Sequence, residues 1–191
     1  VNMVLGAWYA GARAMTSTSG GGFALMEEAI SMSGIGELPL VIHNAMRPGP
    51  GTGLPTRTEQ GDLNLAMYAG HGDFPRVLLA PTSLESGVEL GQKAFNIADK
   101  YQVPVIILSD ANYLSQSMNL GKVNLEENEY HVVESTEDYK RYQYTESGIS
   151  PRSVPGYGKG LVKVDSDEHT EEGLITEDFD VRIKMMDKRM K

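Results

Sequence analysis

Apolar residues gather along this chain in short continuous runs rather than in alternation. "LPLVIHN" (Leu38–Asn44) and "VPVIILSD" (Val103–Asp110) are the clearest, with "RVLLAP" (Arg76–Pro81) a shorter one. Unbroken runs of this length predict strands buried on both faces. "RAMTSTS" (Arg13–Ser19) predicts a further strand running into a hydroxyl-rich end, broken by Gly20–Gly22. Helical spacing lies between the runs. Val1–Ala12 is rich in Ala and Gly, which predicts a closely packed helix. Phe23–Ser33 predicts a second, with Gly34 as its C-cap. Asp62–Gly70 predicts a third. Thr82-Ser83-Leu84-Glu85 has the form of a capping box and opens a fourth through "VELGQKAFNIADKY"; "ANYLSQSM" begins a fifth. This alternation predicts an α/β domain over residues 1–120: a parallel sheet with helices on both faces.

Beyond residue 119 the pattern changes. "LEENEYHVVESTEDYKRYQYTESG" is charged and irregular, which predicts a strand or two over the surface. "ISPRSVPGYGKG" reads as a Pro/Gly linker. "ITEDFDVRIKMMDKRMK" predicts a closing amphipathic helix. Thr176 is its expected N-cap, Glu177 and Asp178 lie in its first turn, and Lys188, Arg189 and Lys191 in its last. Residues 121–191 are thus expected to form an extended C-terminal arm packed on another domain or chain.

Composition narrows the function classes. A formal net charge of -9 argues against a nucleic-acid binder or a protein drawn to anionic membranes. The chain has no cysteine, which excludes disulfides and any Cys-ligated zinc or iron–sulfur cluster on this polypeptide. His43, His71, His131 and His169 are scattered, without metal-ligand spacing. No apolar run approaches the ~20 residues that span a bilayer, and no signal peptide is visible, so a cytoplasmic protein is expected. The start inside "VNMVLGAWYAGA" and the end in "DVRIKMMDKRMK" suggest a piece of a longer chain.

In parallel sheets of this kind, ligands bind at the carboxyl ends of the strands. Those ends carry Thr16–Ser19, His43–Arg47, Pro81–Ser83 and Ser109–Asp110. Arg47 is the sharpest candidate. It leaves a buried strand into "RPGPGTGLPTRTEQGD", where Pro48, Pro50 and Pro55 stiffen the loop and Gly49, Gly51 and Gly53 allow close backbone approach. The planar guanidinium matches a carboxylate in two bonds, and Thr56 would return a hydroxyl to the same place. The plainer alternative is a structural Arg47–Glu59 pair. "GPGTGLPT" lacks the Lys-Ser/Thr pair of a P-loop, and "GGGFAL" is not a dinucleotide fingerprint. No Gly-x-Ser-x-Gly nucleophile elbow is present.

Ser17, Thr18, Ser19, Gly20 and Gly21 form a second candidate: hydroxyls, then a glycine turn whose free N–H groups would bond a polar ring or an anion. Ordinary capping by Ser19 is the alternative. His71, between two glycines, is either a site residue or a turn residue bonding a carbonyl. Asp110 ends a strand and either acts in the site or caps the next helix.

Taken together, "GARAMTSTSGGGFALMEEA", "RPGPGTGLPTRTEQGDL", "GHGDFPRVLLAPTS" and "AFNIADKYQVPVIILSD" resemble the α subunit of 2-oxoacid:ferredoxin oxidoreductases, closest to the 2-oxoglutarate type. The resemblance covers about residues 1–120. It continues more weakly through "TESGISPRSVPG", "EHTEEG" and "TEDFDVRIKMMDKR". It implies the pyrimidine-binding domain of a thiamine diphosphate enzyme. Such enzymes cleave a 2-oxoacid oxidatively with coenzyme A, giving CO2, an acyl-CoA and reduced ferredoxin. A partner β subunit carries the diphosphate and Mg2+ site and a [4Fe-4S] cluster, so a hetero-oligomer is implied. By motif, Arg47 binds the substrate carboxylate, Thr56 assists, and Ser17–Gly22 lies beside the aminopyrimidine ring.

The family usually has Ser-Gly-Pro-Gly where this chain has Ser19-Gly20-Gly21-Gly22. Its activating glutamate and a threonine-bearing substrate motif lie upstream of the segment matching Val1–Ala12, and a further domain follows the tail. Without that acid–base glutamate, this polypeptide alone is expected to be inactive. A family member acting on pyruvate or branched 2-oxoacids is an alternative that changes only the substrate. A non-catalytic α/β scaffold with a Gly/Pro interaction loop is the alternative of another class.

Overall fold

The computed structural model describes all of residues 1–191. Four strands form one parallel sheet: β1 (Met15–Thr18), β2 (Leu40–Met46), β3 (Val77–Leu79) and β4 (Pro104–Asp110), in the order β1-β2-β4-β3. The register runs from Leu40 opposite Pro104 to Met46 opposite Asp110, and Met15–Thr18 lie opposite Val41–Asn44. Two of the unbroken apolar runs became the central strands, and every residue of β4 is buried. The third, "RVLLAP", became the edge strand β3, half-buried rather than buried on both faces, because it pairs on one side only. Val41, Ile42, Val105 and Ile106 are fully buried in the main core cluster. Each such side chain contributes roughly 1.5–3 kcal/mol of burial.

Seven helices accompany the sheet: α1 (Asn2–Tyr9), α2 (Gly20–Ala24), α3 (Glu27–Ile35), α4 (Leu63–Met67), α5 (Leu84–Tyr101), α6 (Ala111–Leu114) and α7 (Phe179–Arg189). The β1→β2 and β2→β3 connections cross the sheet in one direction and β3→β4 returns. Right-handed crossovers then put α2, α3 and α4 on one face and α5 on the other. Trp8 of α1 stacks on Phe95 of α5 and donates to the Ala14 carbonyl just before β1, closing the amino end of the sheet.

Several local features differ from the sequence expectation. The helix expected at Phe23–Ser33 is two helices, and the three glycines do not precede it but form its first turn. Glycine is a poor helix former. It is used here because Thr18 Oγ1 fills the place a Gly22 side chain would take, 2.1 Å from an added Cβ. Gly34 is not the C-cap of α3; Gly36 is, and Gly34 instead receives the ring of Phe74. The capping box of α5 is shifted by one residue: Ser83 and Ser86 exchange bonds of 3.2 and 2.9 Å. In α1 only Val4, Leu5 and Trp8 are buried, and Gly6 faces open space rather than a close neighbour.

The C-terminal arm holds no strand, only isolated bridges at Ser135–Gly158 and His169–Ile175. It also packs on its own domain. Arg141 donates to the Glu37 carbonyl at 2.6 Å, Lys188 pairs with the Glu37 carboxylate at 2.6 Å, and Arg152 pairs with buried Asp99. Tyr142 and Met185 of the arm are themselves fully buried. Residues 36–37 and 99–102 lead directly into β2 and β4, so the arm covers the amino ends of the strands. At the carboxyl ends lies instead the loop that follows β2, with Gln60 bonded to Asp110. α7 is capped by Asp178, whose carboxylate accepts from Asp180 and Val181 N–H groups, two residues beyond the expected Thr176.

Candidate functional site

Arg47 follows β2 directly. It is half-buried, its Nε is buried without a partner, and it forms no ion pair with Glu59. An unpaired guanidinium N–H at the mouth of a strand is a donor held ready for an anion. Asn44, three residues earlier and fully buried, also leaves its Oδ1 without a partner. Its Nδ2 donates to Asp62 Oδ2 at 3.2 Å.

The loop between them is exposed yet pinned. Leu54 N–H donates to the Pro48 carbonyl at 3.1 Å. Gly53 sits inside that turn with φ +56, and a Cβ there would fall 1.7 Å from the Pro48 oxygen, so only glycine closes it. On the return leg, the Asn112 N–H donates to Thr58 Oγ1 at 3.3 Å and Gln60 Nε2 to Asp110 Oδ2 at 2.7 Å. Thr56 is exposed and bonds nothing within the chain.

Ser17 and Thr18 end β1, and Ser19, Gly20 and Gly21 turn into α2. Ser19 holds the N-cap position without a side-chain bond, so the simple capping alternative is not what is observed. The loop and this turn touch. A Cβ on Gly21 would meet the Gly51 carbonyl at 3.6 Å, and one on Gly20 would lie 2.6 Å from Asp62 Oδ2. The structure therefore brings Arg47's loop and Ser17–Gly21 into one place at the carboxyl ends of β1 and β2.

Asp110 and His71 each bond within the chain. Asp110 Oδ1 caps α6 by accepting from Tyr113 N–H at 2.8 Å, and Oδ2 holds Gln60. The Gln60 bond first, then the Tyr113 N–H, keeps its carboxyl below the usual range. His71 bonds Ser31 rather than a carbonyl: its N–H donates to Ser31 Oγ at 3.0 Å and its Nδ1 lies 3.1 Å from the same oxygen. It lines a cavity of about 760 Å³ between α1, α3 and α7, which neither Arg47, Thr56 nor Ser17–Gly21 reaches.

Sequence reasoning placed His43 and Asn44 only within the polar end of β2 and gave Gln60 and Asp62 no part there; the structure gives all four bonds that tie this region together. His43 bridges two strands, Nδ1 to Ser17 Oγ at 2.8 Å and Nε2 to Ser109 Oγ at 2.7 Å. Burial lowers its pKa, which favours the neutral ring. The available signal was "HN" closing an otherwise apolar strand. No group of three or more His, Cys, Asp or Glu side chains stands together to hold a metal ion.

The fold is a parallel α/β domain in which a glycine turn and the loop that follows Arg47 meet at the carboxyl ends of β1 and β2. The chain belongs to the family described as pyruvate flavodoxin/ferredoxin oxidoreductase, thiamine diphosphate-binding, which matches residues 1–188. It is 44% identical over 199 residues to the α subunit of 2-oxoacid:ferredoxin oxidoreductase 1 of Sulfurisphaera tokodaii, covering 100% of this chain and 31% of that relative. It is 40% identical over 168 residues to 2-oxoglutarate synthase subunit KorA of Archaeoglobus fulgidus, covering 84% of this chain and 49% of the relative. Among solved structures, 2-oxoglutarate:ferredoxin oxidoreductase from Magnetococcus marinus, with 2-oxoglutarate, coenzyme A and succinyl-CoA bound, superposes with a TM-score of 0.89 at 38% identity. That match covers 99% of this chain and 34% of the other. The chain spans about a third of the length of the first of these relatives.

The residues present fit the ring end of a thiamine cofactor. The turn at Gly20–Gly21 carries no side chain of its own and hydroxyls flank it, while the Asp62 carboxylate lies against Gly20 and the Gly51 carbonyl against Gly21. Orphaned Asn44 Oδ1 and Arg47 Nε offer an acceptor and a donor close by in sequence.

Proposed function

We propose that this chain is the ring-binding and substrate-binding part of the α subunit of a 2-oxoacid:ferredoxin oxidoreductase, with 2-oxoglutarate as substrate. A β subunit would hold the cofactor's diphosphate with Mg2+ and a [4Fe-4S] cluster, in a cytoplasmic hetero-oligomer. No helix here is long and apolar enough to cross a membrane. The reaction converts a 2-oxoacid and coenzyme A to an acyl-CoA and CO2, and the released electrons pass to ferredoxin. When bound, thiamine diphosphate supplies the carbanion chemistry that breaks the bond between carboxylate and keto carbon.

This chain's residues do the rest of the work assigned to it. Arg47 holds a substrate carboxylate in a two-bond grip, and Thr56 adds a hydroxyl once the cleft closes. Ser17, Thr18, Ser19, Gly20 and Gly21 frame the aminopyrimidine. The pinned Pro/Gly loop shields the reacting carbon from water. The observation that carries this reading is Arg47 itself: a strand-end guanidinium with no carboxylate partner and a buried, unbonded Nε. The 2-oxoglutarate named for the Magnetococcus marinus neighbour supports that substrate.

The test is direct. Full-length α subunit co-expressed with its β subunit should reduce a viologen dye with 2-oxoglutarate, dependent on coenzyme A, and faster than with pyruvate. A folded, cofactor-loaded complex inert to every 2-oxoacid overturns the reading.

A further inference from the structure

Asp62 stands at the junction of the two halves of the cleft. It occupies the N-cap position of α4 but makes no capping bond. Its carboxylate turns the other way. Oδ2 accepts from Asn44 Nδ2 at 3.2 Å, and both oxygens lie against Gly20, 2.6 and 2.9 Å from where a Cβ would stand. Asn44 is fully buried on β2, three residues before Arg47, and has no other bond to share. The substrate loop therefore leaves the sheet at Arg47 and returns at a carboxylate seated on the glycine turn. Gly51 touches Gly21 from the outward leg, and Gln60 anchors the return leg to Asp110.

A carboxylate that abandons its helix cap for a buried amide gives up an ordinary local bond for a long-range one. The seat is also steric: any side chain at position 20 would strike it. We infer that Asp62 is a positioning residue that couples the substrate arginine to the ring-binding turn. Through Asn44 and Gly20, a ring settled on the turn fixes the loop that carries Arg47, and a carboxylate on Arg47 fixes the turn. The inference rests on the function proposed above. Coupling of this kind is reciprocal and is measured as a ratio of affinities.

The experiment uses the complete α–β complex and binding rather than turnover. Glutarate, a dicarboxylate without the reacting ketone, is titrated by calorimetry with and without thiamine diphosphate, and the cofactor with and without glutarate. In the wild type each should tighten the other by about five-fold or more. Asp62→Ala should bring both ratios to about one, while Asp62→Asn, which keeps the shape and the bond to Asn44, should retain most of the effect. Gly20→Ala strikes the same seat from the opposite side. It should also abolish the ratio, and it serves as the test if Asp62→Ala does not fold. A purely structural Asp62 would weaken each affinity and leave the ratio intact, which overturns the inference. So does a wild-type ratio of one. A wild-type complex that binds no thiamine diphosphate overturns the proposed function as well, and is told apart from the other two outcomes by that missing first binding.

Discussion

His43 Nε2 lies 2.7 Å from Ser109 Oγ, so an imidazole ties the carboxyl end of β2 to that of β4. Its other nitrogen takes Ser17 on β1. A neutral imidazole offers one donor and one acceptor, and each hydroxyl can supply whichever is missing. Both partners are hydroxyls, so no carboxylate is present to stabilise the charged ring.

This arrangement makes stability pH-dependent in a known direction. Burial lowers the His43 pKa from 6.5, so the unfolded chain binds more protons than the folded one below that value. The contribution is fully present above about pH 6.5 and is lost as pH falls through the lowered pKa. Thermal melts of the full-length subunit between about pH 7.5 and 5 should show a steeper loss in wild type than in His43→Gln. Equal slopes would remove His43 from the account.

Arg47→Ala should raise the KM for 2-oxoglutarate strongly, since losing a two-bond carboxylate grip costs on the order of 2–4 kcal/mol. Arg47→Lys keeps the charge but not the planar fork and should recover only part of the loss. Steady-state kinetics of the α–β complex decide this, and an unchanged KM in Arg47→Ala would take the carboxylate away from this residue.

Gly53→Ala should open the turn that faces Pro48. The added carbon would fall 1.7 Å from a backbone oxygen at a φ of +56, and backbone cannot yield as a side-chain tip can. Strain of this kind costs about 1–3 kcal/mol. Hydrogen exchange should quicken at Leu54, whose N–H bonds Pro48, while β2 and β4 stay protected.

Acid should release α7 before the sheet. Burial alone would raise the Glu168 pKa, but bonds from Arg189 and Arg182 bring it down to about 2. Its stabilising pairs are present above 4.5, the ordinary value, and are lost as pH falls toward about 2. Glu168→Gln should flatten that acid limb when helix content is followed by circular dichroism. An unaltered limb would assign the transition to other carboxylates.

The helices show where local pattern was a poor guide. "GGGFALMEEAISMS" has helical spacing, but only the contacts of Thr18 and Phe74 decided that the glycines at 20–22 would coil and that Gly34 would serve packing. The cap of α5 moved from Thr82 to Ser83 because both residues carry a hydroxyl and the sequence offers either. The arm's charged stretch predicts a strand or two over the surface, on an arm packed against another domain or chain. Arg141, Arg152 and Lys188 are buried, because carbonyls at Gly36 and Glu37 and carboxylates at Asp99 and Glu37 wait for them more than fifty residues away.

What the sequence determined alone was whatever depends on near neighbours. Unbroken apolar runs set β2, β3 and β4 as strands of a parallel sheet, though not which would be central, and prolines and glycines marked Arg47's loop as a stiff one. Only the tertiary structure decided which distant groups meet: Asp62 with Gly20, His43 with Ser17 and Ser109, Gln60 with Asp110. Periodicity says which way a side chain faces along its own element. A hydrogen bond across 18, 26 or 66 residues exists only after the sheet has brought its strand ends together.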